Sequence, residues 1–381
     1  MQGLRAPTPY HFRVFIFHLH LLRILFLMAQ KKRVRNFICI LKDKASVFAA
    51  SLSLRRHVST VRVSILRATT HSLSTPPSEA RILAVFSVAS NGSHLLPRAC
   101  INALIDRLHR TRSAAVALKC LLTLHNVIVR GPLTLRDHLA CYPSYDGQNI
   151  LNLSAFRDDS DVESLELSSW VRWYAGVLEQ SLSVSRVLGY YLSSSSSINV
   201  KNAKKGTHDR KTLGLSNSEL FHKIDVLVGF VEQISRVPES LQLQRNDLVY
   251  EMVRLVGEDY RIIQYEIFLR VEELRDRVEE LEVGEMAELV RDFTRLQDSK
   301  EGLVLLFVNR KRNDGFWELI EQTKTKVATK KEEREGRWLT VKTSRRDEAS
   351  ELTRSNNPFL EAGQWIRVPA TRLPRMVPTV G

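Results

Sequence analysis

Cysteine is scarce. Cys39, Cys100, Cys120 and Cys141 are the only four in 381 residues. No two are close in sequence, and no CxxC or Cys/His ligand spacing is present, so neither a disulfide framework nor a zinc site is expected. Cys39, Cys100 and Cys120 sit among apolar neighbours and read as reduced, buried thiols, as in the cytosol. The chain also lacks a Gly-rich phosphate loop, a GxSxG elbow, an HExxH pair and any Cys/His triad spacing. Asp158, Asp159 and Asp161 form an acidic turn without the Gly and Glu of a calcium loop, so a solvated turn is expected there. From these absences we expect no catalysis, no metal and no cofactor. No window shows sustained period-two alternation, which argues against strands.

Long uninterrupted apolar runs are missing as well. Residues 10–28 read YHFRVFIFHLHLLRILFLM, but Arg13, His18, His20 and Arg23 break the run well short of the roughly 20 residues that span a bilayer. A signal peptide would need a clean apolar core and a small-residue cleavage site. Two readings stay open: an interfacial amphipathic helix, or a translation start at Met28 with residues 1–27 as an upstream extension. We favour the second.

What is present is positive charge and helical pattern. The net charge is +14 and 44% of residues are hydrophobic, an ordinary globular content with a basic balance that calls for an anionic partner. Nucleic acid and acidic membrane are the usual candidates. Aromatic stacking platforms interleaved with basic residues are lacking, and so is a reading helix, so no nucleic acid is expected.

From Met28 the chain reads as successive helices. The first places Val34, Phe37, Ile38 and Leu41 at helical spacing behind Lys31, Lys32, Arg33 and Arg35. The next puts Val58, Val61, Ile65 and Leu66 on one stripe. Pro76-Pro77 separates it from SEARILAVFSVAS, and a further helix begins near Pro97. In RSAAVALKCLLTLHNVIVRG the apolar positions Val116, Cys120, Leu121, Leu124, Val127 and Ile128 form a face wide enough for a central buried helix, closed by Gly131-Pro132. His125 within it reads as a satisfied core histidine. The stretch SSWVRWYAGVLEQSLSVSRVLGYYL is another long helix. Residues 193–213 are serine-rich and then basic, and read as a linker. Helical pattern returns from Ser216. Over 258–296, Ile267, Val271, Leu274, Val278 and Leu281 make about two heptads, too few for a coiled coil, so one long packed helix is expected. From about Lys311 the chain turns polar and basic, and from Arg345 it reads as disordered.

Three motifs then stand in order: LRATTHSLSTPP (Arg67 to His71), AVALKCLLTLHNVIVRG (Lys119 to His125) and LNLSAFRDDS (Leu151 to Phe156), followed by the aromatic SSWVRWYAGVLEQ. Together with KKRVRNFICILKDKAS they resemble the plant branch of clathrin assembly proteins, over roughly residues 30–310. The resemblance implies an all-α fold: a superhelical stack of helices, the ANTH domain, extended by long C-terminal helices with a short disordered tail. The expected division is 1–27 extension, 28–192 N-terminal helical stack, 193–213 linker, 214–310 C-terminal helical part and 311–381 basic tail.

It also implies binding to phosphatidylinositol 4,5-bisphosphate and recruitment of clathrin heavy chain. The implied location is cytoplasmic, peripheral at plasma-membrane coated pits, coated vesicles and Golgi. The family's headgroup pattern places its first basic residue at Arg67. Its second cluster falls on Pro77 to Ala80 if counted literally, or reaches Arg81 with one extra residue, so the site is depleted. Arg67 and Arg81 are the expected phosphate donors, supplemented by Lys42 and Lys44 if the first helix lies on the same face; otherwise they are solvated helix charge. His71 reads as a packing or capping residue. In the tail, Asn357-Pro358-Phe359 is the tripeptide bound by EH domains, where Asn-Pro turns the chain and presents Phe359 as an apolar anchor. Neither a clathrin box nor Asp-Pro-Phe repeats are present. The competing readings are a helical scaffold for vesicle SNARE cargo with little lipid binding and, ranked after it, a basic nucleic-acid-binding helical protein.

Overall fold

A computed structural model describes residues 34–35, 37–52, 56–90, 95–142, 150–192, 214–239, 246–306 and 314–355, with side chains as far as 336. Among them every regular element is helical. One compact unit runs Met1–Ala328 and a second Thr329–Gly381. Residues 1–27, the linker 193–213 and the Asn357-Pro358-Phe359 motif lie outside the described residues.

In the first unit, α1 covers 37–51. It is followed by α2 (Arg56–Ala68), α3 (Glu79–Ser90), α4 (Leu95–Arg110), α5 (Ala114–Arg130), α6 (Leu133–Ala140) and α7 (Val162–Leu188). Then come α8 (Asn217–Ser235), α9 (Asp247–Asp276), α10 (Val283–Asp298), α11 (Lys300–Leu306) and α12 (Asp314–Ser355), of which residues 314–328 belong to this unit. The apolar spacing of α5 does what the sequence suggests. Residues 114–129 are all buried, and α2, α3, α4, α6, α7 and α9 pack around that helix. Each fully buried Leu, Val or Ile contributes roughly 1.5–3 kcal/mol, so this one helix anchors the first half of the fold.

The helix ends are set by specific side chains. Asp158 is buried rather than solvated, and its Oδ2 accepts from the Ala114 N–H at 2.8 Å, closing the N-terminus of α5. Asp161 does the same for α7, accepting from Ser164 N at 2.9 Å. Two of the three acidic residues expected to be solvated are therefore helix caps, while Asp159 is exposed and pairs with Arg157. At the far end of α5, a Cβ on Gly131 would lie 2.6 Å from the Val127 carbonyl oxygen, so glycine is required where the chain turns away. α7 ends at Gly189 with φ 77°, a left-handed cap. Ser216 and Glu219 form a reciprocal capping box for α8.

Two expectations change. The stretch 258–296 is not one helix. It breaks at 277–282 between α9 and α10, because Arg277 turns to donate to the Leu215 carbonyl at 2.8 Å and Glu282 takes the cap position, with Glu285 accepting from its N–H at 2.9 Å. The five seam residues are buried all the same, with Val278 and Leu281 inside the turn. The polar stretch after Lys311 forms α12, and Leu319, Ile320, Thr323 and Val327 of its first part are buried in the first unit. In the second unit, helical residues 329–355 carry the pairs Lys330–Glu333 at 3.6 Å and Lys331–Glu335 at 3.5 Å.

Candidate functional site

The turn joining α2 to α3 is anchored at three consecutive residues by three different elements. Thr69 accepts from Arg107 of α4, at 2.5 Å on its hydroxyl and 2.7 Å on its carbonyl. The Thr70 hydroxyl accepts from Lys119 Nζ of α5 at 3.0 Å. The His71 N–H donates to Asp43 Oδ2 of α1 at 3.0 Å, and its Nδ1 lies 2.6 Å from Oδ1. His71 thus serves as a packing contact between the turn and α1.

The electrostatics are unusual. Burial would raise the Asp43 carboxyl, but hydrogen bonds from the His71 ring and backbone, with the charges of His71 and Arg107, outweigh it and hold that carboxyl below its ordinary value. Lys119 is only 1% exposed. Burial brings its ammonium down to about 8, with Asp43 opposing the fall and Arg81 adding to it. Its single hydrogen-bond partner among the described residues is a neutral hydroxyl, which leaves a buried cation poorly compensated.

Arg67 stands exposed in the last turn of α2 and Arg81 exposed in the first turn of α3, at the two ends of this turn. Lys42 and Lys44 are exposed on either side of Asp43. The Asp43–His71 bond places α1 beside the turn that Arg67 and Arg81 flank. Sequence reasoning did not assign Asp43, Arg107 or Lys119 to this site. The one legible signal was a lysine in the middle of an otherwise apolar helix.

α1 is built inside out. Its inward stripe is Cys39, Asp43, Val47 and Ala50, while Phe37, Ile38, Ile40, Leu41 and Phe48 face solvent, Phe37 at 63% and Phe48 at 66% exposure. The apolar spacing read from sequence is real, but it does not face the core. Val34 and Leu52 extend the exposed series at both ends. Besides Asp43, the helix is held by a bond from the Ser59 hydroxyl to the Ala50 carbonyl at 2.7 Å and by an ion pair between Arg35 and Asp161.

Elsewhere, His125 is fully buried, as expected of a core histidine. Its Nδ1 is 2.7 Å from the Tyr174 hydroxyl, and its Nε2 approaches Asp259 Oδ2 at 2.9 Å, off the line of a good hydrogen bond. Burial pushes the Tyr174 hydroxyl well above the ordinary tyrosine value. The triad joins α5, α7 and α9 in a closed interior. A cleft of about 490 Å³ opens beside α7, lined in part by Asn152, Arg172, Glu179, Gln233 and Arg236. Burial raises the Glu179 carboxyl there against two backbone N–H donors, Leu151 and Asn152. Cys100 and Cys120 are buried, Cys39 is half-buried and Cys141 is exposed, all of them free thiols. Among the described residues no group of metal-ligating side chains is found, and no single helix is long and apolar enough to cross a membrane.

Residues 60–311 match the family model described as the ANTH domain. Three Arabidopsis thaliana proteins, each named "Putative clathrin assembly protein", are similar along most of their length. One is 39% identical over 290 residues, covering 74% of this chain and 78% of the relative. A second is 31% identical over 298 residues, 76% and 84% of the two chains. A third is 29% identical over 299 residues, 75% and 96%. The family-model match contains the α2–α3 turn and α5, while α1, which carries Asp43, Lys42 and Lys44, lies before its first matched residue. The chain belongs to the ANTH-domain family of plant clathrin assembly proteins.

Proposed function

We propose that this chain is a clathrin-coat adaptor without catalysis of its own, which docks on acidic phosphoinositide membrane through α1 and the α2–α3 turn. The observation that carries this reading is the outward apolar stripe of α1, set beside Lys42, Lys44, Arg67 and Arg81. Exposed Phe37, Ile38, Leu41 and Phe48 gain nothing from facing water. A bilayer interface suits them, because it takes apolar side chains a few ångströms deep while basic neighbours meet the headgroups. Each basic group near an anionic surface contributes roughly 1 kcal/mol. Four of them supply on the order of 4 kcal/mol before any apolar burial, enough for reversible peripheral attachment.

Family membership supports a role in coat assembly with clathrin heavy chain at coated pits, coated vesicles and Golgi membrane. Asn357-Pro358-Phe359 offers EH-domain proteins a separate handle. Co-sedimentation with vesicles containing phosphatidylinositol 4,5-bisphosphate tests the membrane half. Wild type should bind at low salt, and Arg67→Glu/Arg81→Glu should bind at least tenfold more weakly. Equal binding by the two proteins, or none by wild type, would sink it.

A further inference from the structure

Asp43 is the acid that the α2–α3 turn holds through His71. Its two carboxylate oxygens take a backbone N–H and an imidazole nitrogen from His71. The charges of Arg107 and Lys119 both act on it. Behind it, Lys119 spends one donor on Thr70 and has two more. Arg81, at the start of α3, is close enough to act on Lys119 through its charge. The His71 backbone N–H and imidazole, with the Lys119 ammonium bonded one residue earlier in the turn at Thr70, make a donor set suited to a phosphate dianion. A carboxylate fills it only partly.

The carboxylate also comes from the element with least reason to be docked. α1 presents small and polar residues to the body and its large apolar residues to solvent. Its hold near the turn is the Asp43 clasp, helped by the Ser59 to Ala50 bond. An element so attached sits at the low-stability end of a fold.

We propose that His71 and Lys119, in the turn that Arg81 flanks, form a phosphomonoester site in which Asp43 is a built-in stand-in, so that phosphate binding and the docking of residues 39–50 exclude each other. A phosphate that enters must displace Asp43, and losing that clasp frees the middle of α1. A tethered carboxylate competes at high effective concentration, so it lowers the apparent affinity for any soluble phosphate. The phosphate could belong to an inositol lipid or to a free inositol phosphate. This inference rests on the same surface as the membrane reading above, but a soluble ligand reads it separately.

The test combines titration calorimetry with amide hydrogen exchange on the full chain, using inositol 1,4,5-trisphosphate, inorganic phosphate and vesicles containing phosphatidylinositol 4,5-bisphosphate. In wild type, inositol trisphosphate should speed exchange in 39–50 by tenfold or more. Asp43→Asn should show that fast exchange without ligand and bind inositol trisphosphate about tenfold tighter. Lys119→Met should keep slow exchange and lose about tenfold in affinity. Glu79→Gln removes an equal charge from the exposed start of α3 without touching the clasp, and should leave affinity within twofold.

The proposal is overturned if bound trisphosphate leaves exchange in 39–50 unchanged, if trisphosphate does not bind at all, or if Glu79→Gln gains as much as Asp43→Asn. Release by trisphosphate without vesicle binding would uphold it and sink the membrane reading. Vesicle binding without a change in 39–50 would do the reverse. Release by inorganic phosphate as well would uphold the site as one for any phosphate rather than for the lipid headgroup.

Discussion

Lys119 is the residue at which sequence and structure part most sharply. Its neighbours on α5 are all buried, so the same burial that stabilises Leu118 and Leu121 penalises an ammonium. Between pH 8 and 10.5 the unfolded chain still holds a proton that folded Lys119 has released, since its value falls from the ordinary 10.5 to about 8. Folding stability in wild type therefore rises with pH across that window through this group, and below pH 8 the full cost is present. That difference corresponds to roughly 3 kcal/mol. Lys119→Met, of similar length and without charge, should be more stable than wild type by up to that amount at pH 7, and the difference should shrink toward zero by pH 10.5. Urea unfolding of both proteins at the two pH values checks this. Cys100 and Cys120, both pushed up to about 12 by burial, titrate alike in the two proteins and drop out of the comparison. Periodicity shows such a lysine only as an interruption of an apolar helix, and burial is what gives the interruption its meaning.

At the scale of elements, most helices were legible, because one buried stripe and one or two end signals were enough. Ser216 followed by Glu219 starts α8 as a capping box should, and Gly131 stops α5. What stayed hidden depended on contacts distant in sequence. Asp158 reads as part of an acidic turn until α5 is seen to end on it, 44 residues earlier. Asp158→Ala removes the acceptor for the Ala114 N–H and also for the Ser160 N–H at 3.1 Å. A buried donor is then left unmade, and the expected loss is roughly 1–3 kcal/mol. Asp159→Ala, at the next residue but exposed, should cost less than about 0.5 kcal/mol. Thermal unfolding distinguishes the two, and equal losses would contradict the capping assignment. α1 was legible as a helix and not as a surface. Its apolar spacing gives the stripe, but only the Asp43–His71 bond tells which way the stripe faces.

For the whole molecule, the net charge of +14 implies an anionic partner without placing it. On the proposed reading that partner meets the first unit, where α1 and the α2–α3 turn carry exposed bases and exposed apolar side chains. The tripeptide Asn357-Pro358-Phe359 belongs to the stretch 329–381, the second unit. If the two activities are carried by different units, they should separate in the intact chain. Phe37→Ser/Phe48→Ser changes residues that are mostly exposed, so unfolding midpoints should move little. Vesicle binding should weaken by more than tenfold, because each lost aromatic forfeits on the order of 2 kcal/mol of interfacial burial. Capture by an immobilised EH domain should be unaffected. Phe359→Ala should do the opposite, abolishing EH-domain capture while leaving co-sedimentation unchanged. Raising salt should weaken the vesicle interaction of wild type and leave the EH interaction nearly constant, since the first leans on screened charge and the second on one apolar anchor. A single variant that removed both activities without unfolding the chain would mean that lipid and protein partners share one surface, and the assignment of α1 to the bilayer would have to be withdrawn.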